Sequence, residues 1–146
     1  MQNTANGNDQ NTTTTTTANA PFATPDRVKW ELEHEIEIVK RRYETALTKF
    51  LADAQKDPSH AVGWYAKGAV EVQVEHEVWL RIERELTEHD PHTVLAKNVD
   101  ECRSRVQSFF GTSSTCAFSN AVDRARAGAY SRLAEHLTVM KRHFEA

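Results

Sequence analysis

Long hydrophobic runs are missing from this chain of 146 residues. No stretch approaches the ~18 consecutive apolar residues of a membrane-spanning helix, so no membrane role is expected. The N-terminus lacks both the basic stretch and the apolar core of a signal peptide, which makes the cytoplasm the expected location. Cysteine is scarce as well. Cys102 and Cys116 have no CxxC spacing, and nothing marks the chain as secreted, so each is expected to act as a small buried hydrophobe rather than half of a disulfide. A strong excess of positive charge is also lacking. The net charge of −3 gives no electrostatic case for nucleic acid or an anionic membrane.

The short motifs of common enzymes are absent too. There is no GxSxG nucleophile elbow, no GxxxxGK[ST] phosphate loop, no GxGxxG dinucleotide turn and no HExxH zinc helix. No cofactor is therefore expected. Strand patterning is confined to Val70, Val72 and Val74, which alternate with Glu71 and Gln73. That patch lies inside a long proline-free stretch, so its length favours helix.

What the chain has is helical periodicity. Leu32, Ile36, Val39, Tyr43, Ala46 and Phe50 recur at alternating spacings of four and three, placing all six on one side of a single helix. Thr24-Pro25-Asp26 opens this helix with a capping hydroxyl, a proline at the first position and an acidic residue at the positive end of the dipole. Asp57-Pro58 closes it near Lys56. A second helix is expected from about Pro58 to Glu88, and a third from about Thr93 to Phe110 with the stripe Leu95, Val99, Cys102, Val106 and Phe109. After Gly111, capped by a residue among Thr112–Thr115, a fourth helix buries Phe118, Val122, Ala125, Ala129, Leu133, Leu137, Met140 and Phe144. The fold class is thus all-α: an antiparallel bundle of about four helices over residues 24–146, joined by short connections. Residues 1–23 form a Thr-rich tail whose first twenty residues, after Met1, have no large apolar side chain to offset the entropy of ordering.

Charge is uneven along the chain. Residues 1–96 carry 10 Lys and Arg against 16 Asp and Glu, whereas residues 97–146 carry 8 against 5. An acidic front is therefore expected to pack against a basic back, within one molecule or between copies.

Three surfaces compete as functional candidates. Trp30, His34 and Ile38 lie opposite the main stripe of the first helix, where an apolar face is expected to bind a protein partner or a second copy. Trp79, on the face shared with Tyr65, Val72 and Leu86, reads instead as core. Arg103, Arg105, Arg124, Arg126 and Arg132 could make a modest basic patch for DNA, with no recognisable reading helix or stacking aromatics. A metal-dependent bundle enzyme would use Glu31, His34, Glu75 and His76. Di-metal bundles need two Glu-x-x-His motifs, and Glu31-x-x-His34 supplies one; Gln73 precedes His76 and Leu133 precedes His136. His89 and His92, flanking Asp90-Pro91, could pinch a stray cation at a turn. The small residues Ala121, Ala125, Ala127, Gly128 and Ala129 suit close helix packing inside the molecule, with a dimer seam as the rival use. The favoured expectation is a non-enzymatic helical protein that works by protein–protein interaction or self-assembly. By compositional analogy, a compact helical body with a low-complexity arm suits an accessory protein of a virus or mobile element.

Overall fold

A computed structural model describes residues 23–110 and 116–146 of the chain. They form four helices: α1 (Pro25–Lys56), α2 (Pro58–Glu85), α3 (Pro91–Phe110) and α4 (Ala117–Glu145), with no strand among the described residues. The Val70–Val74 patch is helical, as its length requires. Residues 1–22 of the Thr-rich tail, Gly111 and the Thr112–Thr115 caps lie outside the described residues. Ala23, expected as the last residue of the tail, belongs instead to the bundle: it is half-buried against the core and its amide donates to the Phe144 carbonyl at 2.8 Å.

The helix ends follow local chemistry. Thr24 accepts a hydrogen bond from the Arg27 amide, with Pro25 at the first helical position. Asp57 closes α1 with its own amide, which donates to the Asp53 carbonyl, and opens α2 by accepting from the His60 amide at 3.0 Å. Two boundaries differ from the sequence expectation. α2 stops at Glu85 rather than Glu88, because the Thr87 hydroxyl and amide both turn back onto the Arg84 carbonyl at 2.6 and 3.2 Å. α3 starts at Pro91 rather than Thr93, because Asp90 accepts from the Thr93 amide and so becomes the cap.

Cross-helix contacts fix the directions. Lys40 reaches Glu83 and Arg42 reaches Glu75, each at 2.7 Å, so α1 and α2 run antiparallel. Tyr130 stacks on Phe109 and Thr138 accepts from Arg103, which makes α3 and α4 antiparallel. Arg132 of α4 reaches Glu71 of α2, and further along His136 meets Trp79, so α2 and α4 run parallel. They pack more closely than α1 with α3 or α2 with α3, and α1 with α4 touches least of all. Ala129 on α4 is buried at this approach, with Ala125 buried one turn earlier. Ala127 is buried as well, so these alanines are consumed inside the molecule, while Ala121 stays exposed.

The core is one cluster drawn from all four helices, with Trp79 at 1 % exposure as its largest member. The main stripe of α1 divides along its length. Leu32, Ile36 and Val39 are buried, whereas Tyr43, Ala46 and Phe50 are half-buried. The reason is length: α1 has 32 residues and α3 has 20. At a rise of ~1.5 Å per residue, α1 outruns α3 by about 18 Å. The distal part of the stripe then has fewer helices to pack against. Phe118, expected in the core, is likewise exposed at this end of α4, as are Leu47, Leu51 and Val62 on the α1–α2 hairpin.

Polar bonds hold α2 to α3. Asn98, at 0 % exposure, is the buried polar residue of the described core. Its amide donates to the Val94 carbonyl at 2.9 Å and to Glu85 at 2.8 Å, and its Oδ1 accepts from Arg81 Nε at 2.9 Å. Arg81 also pairs with Glu101, and Lys97 reaches Glu85 at 2.6 Å. Burial pushes the Glu85 carboxyl upward, but the Lys97 ammonium and the Asn98 amide outweigh it and hold the carboxyl below its ordinary value.

Two substitutions test this division between apolar and polar stabilisation in urea denaturation. Trp79→Ala should lose about 3–5 kcal/mol through transfer and cavity terms. Asn98→Ala should lose about 1–3 kcal/mol by stranding the groups it satisfies. Losses under ~0.5 kcal/mol at either position would contradict the packing described.

Candidate functional site

The face of α1 opposite its core stripe stays open to solvent. Trp30 is 64 % exposed, and Ile38 is 37 % exposed two turns along. His34, between them, stacks on the Trp30 ring with centroids 5.6 Å apart and planes 1° from parallel. This stacking holds the indole along the helix instead of letting it sweep through water, which lowers the entropy lost when a partner covers it. Arg27 pairs with Glu31 at 3.1 Å and Lys29 with Glu33 at 3.8 Å, so charged pairs on α1 accompany the strip.

The five arginines of the basic candidate do not stand as free positive charge. Arg103 has Asp100 at 3.8 Å and also donates to Thr138, Arg105 has Glu101 at 3.8 Å, and Arg126 has Asp123 at 3.8 Å. Arg132 reaches across to Glu71 of α2 at 3.1 Å. Arg124 is exposed on α4. Four of the five thus serve local or interhelical pairing, which lowers the potential a DNA backbone would meet.

The four candidate metal ligands are drawn into separate contacts. Glu31 faces Arg27, His34 lies on Trp30, Glu75 holds Arg42, and His76 stacks on Tyr43 of α1 at 4.0 Å. His76 is therefore an interhelical residue. At the α2–α3 turn, His92 meets the Ala23 carbonyl at 3.2 Å, and His89 is exposed. Among the described residues, no group of three or more His, Cys, Asp and Glu side chains gathers closely enough to hold a metal ion. No helix among them is long and apolar enough to cross a membrane.

One feature is not visible in the spacing of any single helix. A cleft of about 380 Å³ opens between α1, α2 and α4, floored by Val72, Ala129 and Leu133. Its walls are charged and mutually paired: Arg42 with Glu75, Arg132 with Glu71, and His136 with Glu35 at 3.9 Å. Arg132 on Glu71 joins the basic back to the acidic front, whereas Arg42 and Glu75 both belong to the front. The cleft contains no serine, cysteine or threonine nucleophile, and its charges are spent on holding helices together.

The cysteines separate sharply. Cys102 is buried, and burial pushes its thiol up to about 11. Cys116 is exposed, contrary to expectation, because it sits at the N-cap of α4 rather than on its buried side. Hydrogen bonds from Ser119 and the Phe118 amide lower its thiol below the ordinary value.

Compared with known proteins, the chain matches no family model, no curated protein and no solved structure.

Alkylation with iodoacetamide near neutral pH should modify Cys116 rapidly and Cys102 only on unfolding, read by peptide mass spectrometry. Equal rates in the folded protein would contradict the burial of Cys102.

Proposed function

We propose that this protein is a non-enzymatic helical binding module whose working surface is the Trp30–His34–Ile38 face of α1. The observation that carries this reading is the exposure of Trp30. A tryptophan side chain presents ~150–250 Å² of largely apolar area, and leaving it in water brings the isolated chain no packing energy. Tryptophan also ranks among the residues that anchor protein interfaces when buried by a partner. The stacked histidine and the neighbouring isoleucine extend it into a strip two turns long. Charged pairs nearby supply polar groups suited to the rim of an interface. The analogy with accessory proteins of viruses or mobile elements rests on composition alone and adds no residue to the site.

A photo-crosslinking amino acid placed at position 34 of the full chain, in the cells that make it, tests the reading. Protein adducts are expected, and they should disappear when Trp30→Ser and Ile38→Lys are added, with helicity unchanged. Absence of adducts, or adducts indifferent to both substitutions, would overturn the proposed role.

A further inference from the structure

α1 and α4 both pack on α2 but touch each other least of any helix pair, so a slot stays open between them. This slot is the cleft of about 380 Å³, within the size range that takes small molecules. Its floor is apolar, with Ala129 and Leu133 buried and Val72 half-buried. None of Trp30, His34 and Ile38 lines it, so it is a second surface that stands or falls independently of the proposed binding face.

The charges on its walls differ in how firmly they are held. Arg42 lies 2.7 Å from Glu75 and Arg132 lies 3.1 Å from Glu71, so both guanidinium groups are already neutralised within the chain. Glu35 is the exception. Among the described residues it has no hydrogen-bond partner, and its Oε2 stands 3.9 Å from His136 Nε2 across the slot, beyond hydrogen-bonding distance. These two atoms are nevertheless placed to share a donor. An ammonium nitrogen about 2.8 Å from each would see them about 90° apart, an angle that two N–H bonds can serve. His136 accepts there in the tautomer that carries its proton on Nδ1. With His136 neutral, Glu35, Glu71 and Glu75 against Arg42 and Arg132 leave the walls at a net −1, which repels a small anion and suits a cation.

We infer that this cleft binds a small organic cation: a primary ammonium held between Glu35 and His136, with an apolar body lying along Val72, Ala129 and Leu133. Floor and wall make separate demands on such a ligand. The floor accepts any alkyl chain of suitable length, whereas Glu35 selects the head group. A carboxylate head would meet three wall carboxylates with both arginines occupied. A hydroxyl head would fit the same place but would lack the charge that strengthens an ionic hydrogen bond.

Hexylammonium, 1-hexanol and hexanoate share one chain length and differ only in the head, so they test this selection directly. Hexylammonium stays charged at neutral pH, as lysine does. Titrated into the full chain and followed by NMR of the side-chain signals, it should shift His136 and Leu133 saturably, with a Kd on the order of 1 mM. His89, at the α2–α3 turn, should not respond. Hexylammonium should bind at least about tenfold more tightly than hexanoate and about fivefold more tightly than hexanol. Glu35→Gln removes the charge without removing a hydrogen bond of the folded chain, so helicity should persist. It should weaken hexylammonium at least about fivefold and leave hexanol unchanged. The comparison of head groups on the unaltered chain needs no variant and decides the matter even if Glu35→Gln misfolds. No saturable shift at His136 and Leu133 up to about 50 mM, hexanoate or hexanol binding as tightly as hexylammonium, or a folded Glu35→Gln chain that binds hexylammonium unchanged would each overturn the proposal.

Discussion

The arrangement depends on the close parallel approach of α2 and α4. Small side chains on α4, Ala129 foremost, let the two helices meet closely. Trp79 fills the space beside this approach, and His136 of α4 meets its ring edge-on at 6.2 Å. α1 packs chiefly on α2, touching α3 little and α4 least. A helix with one main neighbour buries one stripe and leaves the rest of its circumference to water. The exposed face of α1 is thus a consequence of its packing chiefly on α2.

Polar contacts complete what that geometry leaves unfinished. α2 and α3 share limited surface, and Asn98 ties them by satisfying Arg81 and Glu85 together. Around α1, charged side chains do similar work. Lys40, Arg42 and Glu35 reach α2 or α4 while the apolar stripe points inward. Lys40 is held above its ordinary pKa chiefly by its hydrogen bond to Glu83. Exposed ion pairs of this kind contribute little individually, so their main effect is on register.

Much of this was legible in the sequence because helical periodicity and caps are local signals. Thr24-Pro25, Asp57-Pro58 and the α1 stripe all act within a few residues, and each marks the element it should. What could not be read was how far each stripe would be covered. Phe50 and Phe118 repeat at core spacing as faithfully as Leu32, yet beyond the end of α3 Phe50 is only half-buried and Phe118 is exposed. Cys116 fell outside the buried side because it is the N-cap of α4, one position before the helix begins. At the site, Trp30, His34 and Ile38 could be picked out as a face, but the cleft walled by the Arg42–Glu75 and Arg132–Glu71 pairs could not. It exists only where α1, α2 and α4 meet, which is a property of the packed bundle.

The central claim is that Trp30 and Ile38 form one face of α1 left open by the isolated chain. Hydroxyl-radical footprinting of the dilute protein measures this directly, because it reports the exposure of each side chain. The account predicts that Trp30 and Ile38 are reactive while Trp79 and Leu137 stay protected. Trp30 protected as fully as Trp79 in the dilute chain would contradict it.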